Sequence, residues 1–336
     1  TSMSNPTCVA LPPEWTALPL WKPLVRKQHP RDSRIVFDEE PHLYYIDGSG
    51  RWVSSVTTIL GKLWEPFDPW AIVNSPSYNR WQMDASSEYH GLSRAQVVDR
   101  WKEKGALASA MGTETHALIE KYYVTGKVDP DEWRYPELRQ FAAFRACSAA
   151  VNAGDPYASE LVVFDEEMRI GGSVDFISRA EDGSLVIFDW KRSSHSLAAD
   201  AKAFRKSVRA VGGRLLPDNK YNRYSLQLNV YAHILATRYG ERVSAMYLVR
   251  ITSDIDRFEL ERVQPMPSAV ATVRLMRRRQ LEAIAKIAKI GRVVLATLRL
   301  QRLARRRREL AEVPKNGCRE LGPEKEQPEA KKKQRV

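Results

Sequence analysis

The sequence predicts an α/β protein: a central mixed β-sheet flanked by helices, followed by a long basic C-terminal helix. Three observations predict it. Short apolar runs with strand periodicity lie at residues 159–190 and again at 243–263. Helical patterns stand before, between and after them. Positive charge is gathered at the C-terminal end: residues 1–270 hold 33 Lys/Arg against 34 Asp/Glu, and residues 271–336 hold 20 against 7.

Residues 1–33 are rich in Pro and Trp without clear period and are expected to be an irregular lead-in. Arg34–Asp38 and Leu43–Asp47 alternate around a turn at Glu39–His42, the pattern of a hairpin. Gly48-Ser49-Gly50 turns the chain into Trp52-Val53. Ser54 or Ser55 then caps a short helix over Val56–Leu60. Residues 64–92 show no single period. Ser93 opens a helix that Gly112 is expected to interrupt, and a second runs from about Thr113 to Tyr123, ended by Gly126. A third spans about Pro136–Val151. Strands are predicted at Ser159–Phe164 and Met168–Ser178. A turn at Asp182-Gly183 leads to Leu185–Trp190, whose unbroken apolar run marks a strand buried on both faces. Asn222–Tyr239 is helical, Val243–Thr252 and Asp256–Val263 are strands, and a long helix follows from Ser268 to Leu310, with a possible break at Gly291. Residues 313–336 are polar and Pro-containing, the composition of a disordered tail.

The chain of 336 residues, 43% hydrophobic, can bury a sizeable core. Its three cysteines, Cys8, Cys147 and Cys318, lie too far apart in number and sequence for a disulfide framework or a four-thiolate metal site. They point to a reducing intracellular compartment: nucleus or mitochondrion in a eukaryote, cytoplasm otherwise. No apolar run approaches the length of a membrane span, and the first thirty residues lack the apolar core of a signal peptide. The basic C-terminal segment has two readings, a polyanion-binding arm or a solvated helix carrying a localisation signal.

The chemistry is concentrated in Gly171-Gly172-Ser173-Val174-Asp175 and Ile187-Phe188-Asp189-Trp190-Lys191. Residues two apart on a strand share a face, so Asp189 and Lys191 project together, and the hairpin brings Asp175 beside them. Two carboxylates at strand ends form a hard oxygen site suited to Mg²⁺ or Mn²⁺. A neighbouring ammonium orients water and stabilises charge growing on a phosphate oxygen. A D-x-K tripeptide also occurs by chance, as a surface hairpin with a salt bridge. The apolar run leading straight into these charges speaks against that, because buried charges need partners.

Val174-Asp175, followed after fourteen residues by Asp189-Trp190-Lys191, resembles the core of the PD-(D/E)xK nucleases. Gly112-Thr113-Glu114-Thr115-His116, running on to Glu120, resembles the G-x-x-x-H-x-x-x-E helix of their RecB-type branch. Gln227-Leu228-Asn229-Val230-Tyr231 resembles its Q-x-x-x-Y helix, and the order of the elements is kept. Ser55–Leu60 and the Asp189-Trp190-Lys191 strand resemble those of mitochondrial genome maintenance exonucleases and their phage relatives. The resemblance spans about residues 40–262. Val174 stands where the family has proline, and Arg192 where a Thr usually follows the lysine. A longer basic insertion, about Lys202–Arg223, separates Lys191 from Gln227.

The resemblance implies a restriction-endonuclease-like core with His116, Asp175, Asp189 and the Trp190 carbonyl as metal ligands. Asp175, Asp189 and Lys191 would be catalytic, with Glu160 serving a second ion or a water. Gln227 and Tyr231 would contact the DNA backbone or support the site. Arg192 and the insertion residues Arg205, Lys206 and Arg223 would meet phosphates. The organisation expected is a lead-in (1–33), a nuclease domain (34–265), a basic helical extension (266–312) and a tail (313–336). The function implied is a metal-dependent DNA nuclease, an exonuclease on single-stranded or duplex DNA ends in replication, repair or recombination. Two alternatives stand beside it: a site- or structure-specific endonuclease, and a non-cleaving nucleic-acid-binding module on the same fold.

Overall fold

The computed structural model describes residues 24, 29–38, 43–46, 51–147, 153–203 and 205–311. Most of the lead-in, the turns expected at Glu39–His42 and Gly48–Gly50, and the tail lie outside the described residues. The chain divides into two compact units, Thr1–Arg279 and Gln280–Val336.

The first unit is organised around an eight-stranded mixed sheet. Strands β1 (Ile35–Asp38), β2 (Leu43–Ile46) and β3 (Arg51–Ser55) form an antiparallel ribbon. It joins the main sheet where β3 runs parallel to β5 (Ile170–Arg179) at Ser54↔Ile170 and Ser55↔Gly171. Strand β4 (Asp155–Asp165) pairs antiparallel with β5, as does β6 (Leu185–Lys191). β6 then runs parallel to β7 (Val243–Arg250), which pairs antiparallel with β8 (Glu259–Arg262). The predicted mixed sheet is therefore present, and Leu185–Trp190 is central in it, buried at every position. The β5–β6 turn is closed by Ala180 N–H to Ser184 O (2.8 Å), with Gly183 at φ 76°, where a glycine carries no side-chain penalty.

Alternation along β6 builds a core on each face of the sheet. Leu185 and Ile187 pack in the cluster containing Leu226, Val230, Tyr231 and Ile234 of the helix Lys220–Arg238. Val186, Phe188 and Trp190 pack with Ile119, Tyr122, Phe141 and Phe144 of the helices Arg94–Thr125 and Pro136–Arg145. In chain order the helices are α1 (Val56–Gly61), α2 (Pro69–Val73), α3 (Pro76–Met83), α4 (Arg94–Thr125), α5 (Pro136–Arg145), α6 (Lys220–Arg238) and α7 (Pro267–Ala311). Ser55, one of the two candidates, caps α1: its hydroxyl accepts from Thr58 N–H.

Two expected breaks do not occur. α4 is one helix of 32 residues running through Gly112. An interior glycine costs a helix about 1 kcal/mol but does not stop it. The ends are set instead by the Ser93–Gln96 capping box and by Gly126 in the left-handed conformation, φ 68°. α7 likewise continues through Gly291. Its first turns belong to the first unit, past the expected boundary at 265, because Ala269, Val270, Val273 and Arg277 are buried there. Arg277, one of the basic residues of the C-terminal segment, is turned into the fold and donates to Met168 O (2.8 Å) and Arg169 O (3.0 Å). Leu275 of the same helix is 48% exposed.

Candidate active site

The β5–β6 ladder ends at Phe176↔Phe188, so Asp175 and Asp189 occupy the first positions beyond it. There Asp175 Oδ2 accepts the backbone N–H of Trp190 at 2.9 Å. Asp189 and Lys191 share the α6 face of β6, two residues apart, and Lys191 Nζ lies 2.6 Å from Asp189 Oδ2 and 3.9 Å from Asp175 Oδ2. The ammonium also sits over the Tyr224 ring, 5.0 Å from its centroid.

Glu160 enters from β4. Its neighbours pair as Ser159↔Phe176 and Leu161↔Val174, which sets Glu160 opposite Asp175. Its backbone is left-handed, φ 48°. A non-glycine residue held there costs about 1–3 kcal/mol, and such strain collects at functional sites. Ser173 Oγ donates to Glu160 Oε2 at 2.6 Å and fixes the carboxylate.

His116 reaches the same point from α4. Its Nε2 is 3.0 Å from the Trp190 carbonyl oxygen, and its Nδ1 is 3.6 Å from both Glu160 Oε1 and Asp175 Oδ2. With Nε2–H donating to the carbonyl, Nδ1 is left to face the carboxylates. One donor atom each from His116, Glu160 and Asp175 fall within 4.8 Å of one another, a spacing that one cation can bridge.

Burial raises the carboxyls of Asp175 and Asp189 above the ordinary range, Asp189 to about 6, although Lys191 pulls both down. Burial works against the Lys191 ammonium, but the two carboxylates outweigh it and hold the lysine charged. Burial also works against the His116 imidazolium. The carboxylates of Asp175 and Glu160 override it and push the ring up to about 9. The cluster thus carries more negative charge than its own cations balance. Asp189 Oδ2, buried beside Lys191, accepts no aligned hydrogen bond among the described residues. A divalent cation fits both features: it would take a free lone pair and relieve the crowding of buried carboxylates.

Gln227 and Tyr231, one turn apart on α6, are buried, and Gln227 Nε2 donates to Tyr231 Oη at 3.2 Å. The Tyr231 hydroxyl lies against Gly172, where an added Cβ would approach it to 2.6 Å. Gly172 is therefore the residue that admits the tyrosine beside β5.

The structure does not bring Arg192 to this cluster as a free charge. Its Nε donates to buried Glu137 at 2.8 Å and its Nη2 to Ser253 Oγ at 3.2 Å, so its charge is matched inside the fold, contrary to the expected phosphate contact. Arg223 is similarly held by Asp218, at 2.6 Å, and lies over Trp64. Arg205 and Lys206 are exposed on the insertion, which is pinned by the Lys206↔Pro217 bridge and by Val208 N–H to Leu63 O. Sequence reasoning missed Ser173 and Tyr224. Ser173 lies inside the singled-out Gly-Gly-Ser-Val-Asp run. Tyr224 precedes Tyr231 by seven residues, two helical turns, which puts both on one face of α6.

The family profile of the PD-(D/E)XK nuclease superfamily matches residues 141–297. This stretch is similar to a PD-(D/E)XK nuclease superfamily domain. The match contains Asp175, Asp189, Lys191, Gln227 and Tyr231, and it begins after His116. A nuclease of this superfamily hydrolyses phosphodiester bonds in nucleic acid, generally with divalent metal. No curated protein matches the chain in sequence. Among solved structures, SSO0001 is 16% identical with a TM-score of 0.21 over 35% of this chain, which spans about half (47%) of that protein's length. A "putative exonuclease" from Eubacterium rectale is 10% identical with a TM-score of 0.31, covering 68% of this chain and 70% of that one. No helix among the described residues is long and apolar enough to cross a membrane.

Proposed function

We propose that the chain is a metal-dependent deoxyribonuclease that acts as an exonuclease on DNA ends, single-stranded ends above all, in replication, repair or recombination. The observation that carries this reading is the convergence of Asp175, Asp189, Lys191, Glu160 and His116 where β5 and β6 part. The His116 helix and the Gln227/Tyr231 helix, in RecB-type order around it, favour the exonuclease branch.

In this reading Asp175, Asp189, His116 Nδ1 and the Trp190 carbonyl would hold Mg²⁺ or Mn²⁺, and Glu160 would serve a second ion or a water. A cation bound there polarises the scissile phosphate and makes its water more acidic. Lys191, charged and pressed against Asp189, orients the attacking water and stabilises the charge that develops as water oxygen joins phosphorus and the ester oxygen leaves. Ser173 keeps Glu160 in place. Gln227 and Tyr231, both buried, brace β5 through Gly172 and so support the site, the second of the two roles expected of them, in place of a DNA-backbone contact. Arg205 and Lys206, exposed on the insertion, would contact phosphates.

The test is a comparison of linear and circular single-stranded DNA with Mg²⁺ or Mn²⁺. An exonuclease degrades the linear form and spares the circle. Equal cleavage of both identifies an endonuclease, and cleavage of neither identifies a binding module.

A further inference from the structure

A cavity of about 350 Å³ opens between α6, the start of β7, the loop after β8 and the first turns of α7, all within the first unit. Small-molecule sites occupy about 300–1,000 Å³, so this one has room for a single compact ligand. It is separate from the cleavage cluster. β7 lines it with Val243–Met246, which stand beside Leu185–Ile187, whereas Leu248 stands beside Asp189. The cavity therefore lies at the N-terminal ends of the two parallel strands and the cluster at the C-terminal end of β6. The fold holds the cavity wall in place. Asn229, buried on α6, donates from Nδ2 to Gln264 O at 3.0 Å and accepts Met266 N–H on Oδ1 at 2.6 Å, which fixes the loop from β8 to α7.

Two kinds of surface face this space. Met246, Val263 and Val270, all buried, supply an apolar floor. His233, Arg262 and Arg274 supply the polar side, and no Asp or Glu lines the cavity. Elsewhere in this unit Arg192, Arg223, Arg238 and Arg250 each meet a carboxylate. The Arg262 and Arg274 guanidinium groups make no ion pair or hydrogen bond among the described residues. Burial and the neighbouring Arg274 hold the His233 imidazole below its ordinary range, against the pull of Asp165. Asp165 is itself spent on Arg238, at 2.8 and 3.1 Å. The cavity thus carries positive charge that the fold leaves unmatched.

We propose that this cavity binds a nucleoside monophosphate, its phosphate on Arg262 and Arg274 and its base and sugar against the apolar floor. Guanidinium forks match phosphate oxygens, and an arginine that lacks a carboxylate has its donors free for them. An apolar floor beside a cationic edge suits a ligand with one charged end and one flat, weakly polar body. The choice of a nucleotide rests on the nuclease reading above, in which a terminal nucleotide is the product released.

The test is isothermal titration of the full chain, without divalent cation, with deoxyadenosine 5′-monophosphate, deoxyadenosine and inorganic phosphate. The native chain should bind the monophosphate about tenfold or more tighter than either fragment. An Arg262→Gln, Arg274→Gln double variant should lose about tenfold or more of that affinity. Ala271→Trp, which keeps both arginines and fills the cavity from an exposed helix position, should lose it too. Asp189→Ala should bind the monophosphate as the native chain does, and circular dichroism checks the folding of every variant. If the arginine pair keeps the native affinity and Asp189→Ala loses it, the ligand sits in the cleavage cluster. That result overturns the cavity proposal and leaves the nuclease reading intact. If either fragment binds as tightly as the monophosphate, or nothing binds, the proposal falls as well, and the cleavage assays decide the nuclease reading on their own.

Discussion

The Trp190 backbone N–H donates to Asp175 Oδ2 at 2.9 Å, at the point where β5 and β6 cease to pair. The carboxylate therefore has two tasks. It satisfies a main-chain donor that the ladder has abandoned, and it faces His116 and Lys191 with the same oxygen. Asp175→Asn keeps an acceptor for Trp190 and loses the charge. The variant should unfold within about 1–2 kcal/mol of the native chain, a normal hydrogen-bond increment. Its cleavage rate should fall by a factor of about 100 or more. Thermal unfolding and a cleavage assay on the same preparation separate the two effects.

Lys191→Ala should abolish cleavage without weakening metal binding, because it removes a charge from beside the carboxylates and no ligand. Asp189→Ala should weaken metal binding as well. Isothermal titration with Mn²⁺ on both variants distinguishes the roles, and equal weakening would remove the distinction drawn between them.

His116→Ala should weaken Mn²⁺ binding more than Mg²⁺ binding, since imidazole is the softer ligand of the set. The ring also sets a pH dependence. Its folded pKa, about 9, lies above the ordinary histidine value, so its contribution to stability is complete below about pH 6.5 and is lost as pH rises through 9. The metal-free native chain should thus lose melting temperature between pH 6.5 and 9.5 more steeply than His116→Ala. Parallel melting curves for the two proteins would contradict the assigned protonation.

Gly172→Ala should destabilise the fold by about 1–3 kcal/mol, because its Cβ would come within 2.6 Å of Tyr231 Oη. Tyr231→Phe removes the nearest of the clashing atoms and should restore part of that loss. A double-mutant cycle read by denaturant unfolding should return a coupling of about 0.5 kcal/mol or more.

Much of this site is legible in the sequence because it depends on short-range periodicity. Asp189 and Lys191 share a face by the two-residue repeat of a strand. Asp175 joins them through the Asp182-Gly183 turn, and Gln227 meets Tyr231 by the helical four-residue spacing. What escaped depends on distant partners. The left-handed backbone of Glu160 arises from how β4 meets β5, which no local pattern encodes. Arg192 is matched by Glu137, fifty-five residues away, and Arg277 is buried against main-chain carbonyls of Met168 and Arg169. In both, charge alone suggested a phosphate partner outside the fold. Gly112 and Gly291 suggested breaks because glycine lowers helix propensity, yet capping at the ends decides where a helix stops.

Residues 280–303 of α7 expose Ile287, Ile290 and Leu300 together with Lys286, Lys289, Arg292, Arg299 and Arg302. If the basic extension binds DNA, deleting residues 301–336 should lower the slope of log affinity against log salt by about 0.7–0.9 per lost phosphate contact. Turnover at saturating DNA should stay within about twofold. A localisation signal would leave the slope unchanged in purified protein.

The central claim is that the cluster where β5 and β6 part performs phosphodiester hydrolysis. Its most direct measurement is the time course of product lengths from end-labelled linear single-stranded DNA, with and without Mn²⁺, for the native chain, Asp189→Ala and Lys191→Ala. The native chain should shorten the DNA in an Mn²⁺-dependent way and neither variant should, with both variants folded by circular dichroism. Undiminished shortening by either folded variant, or by the native chain with all divalent metal chelated, would contradict it.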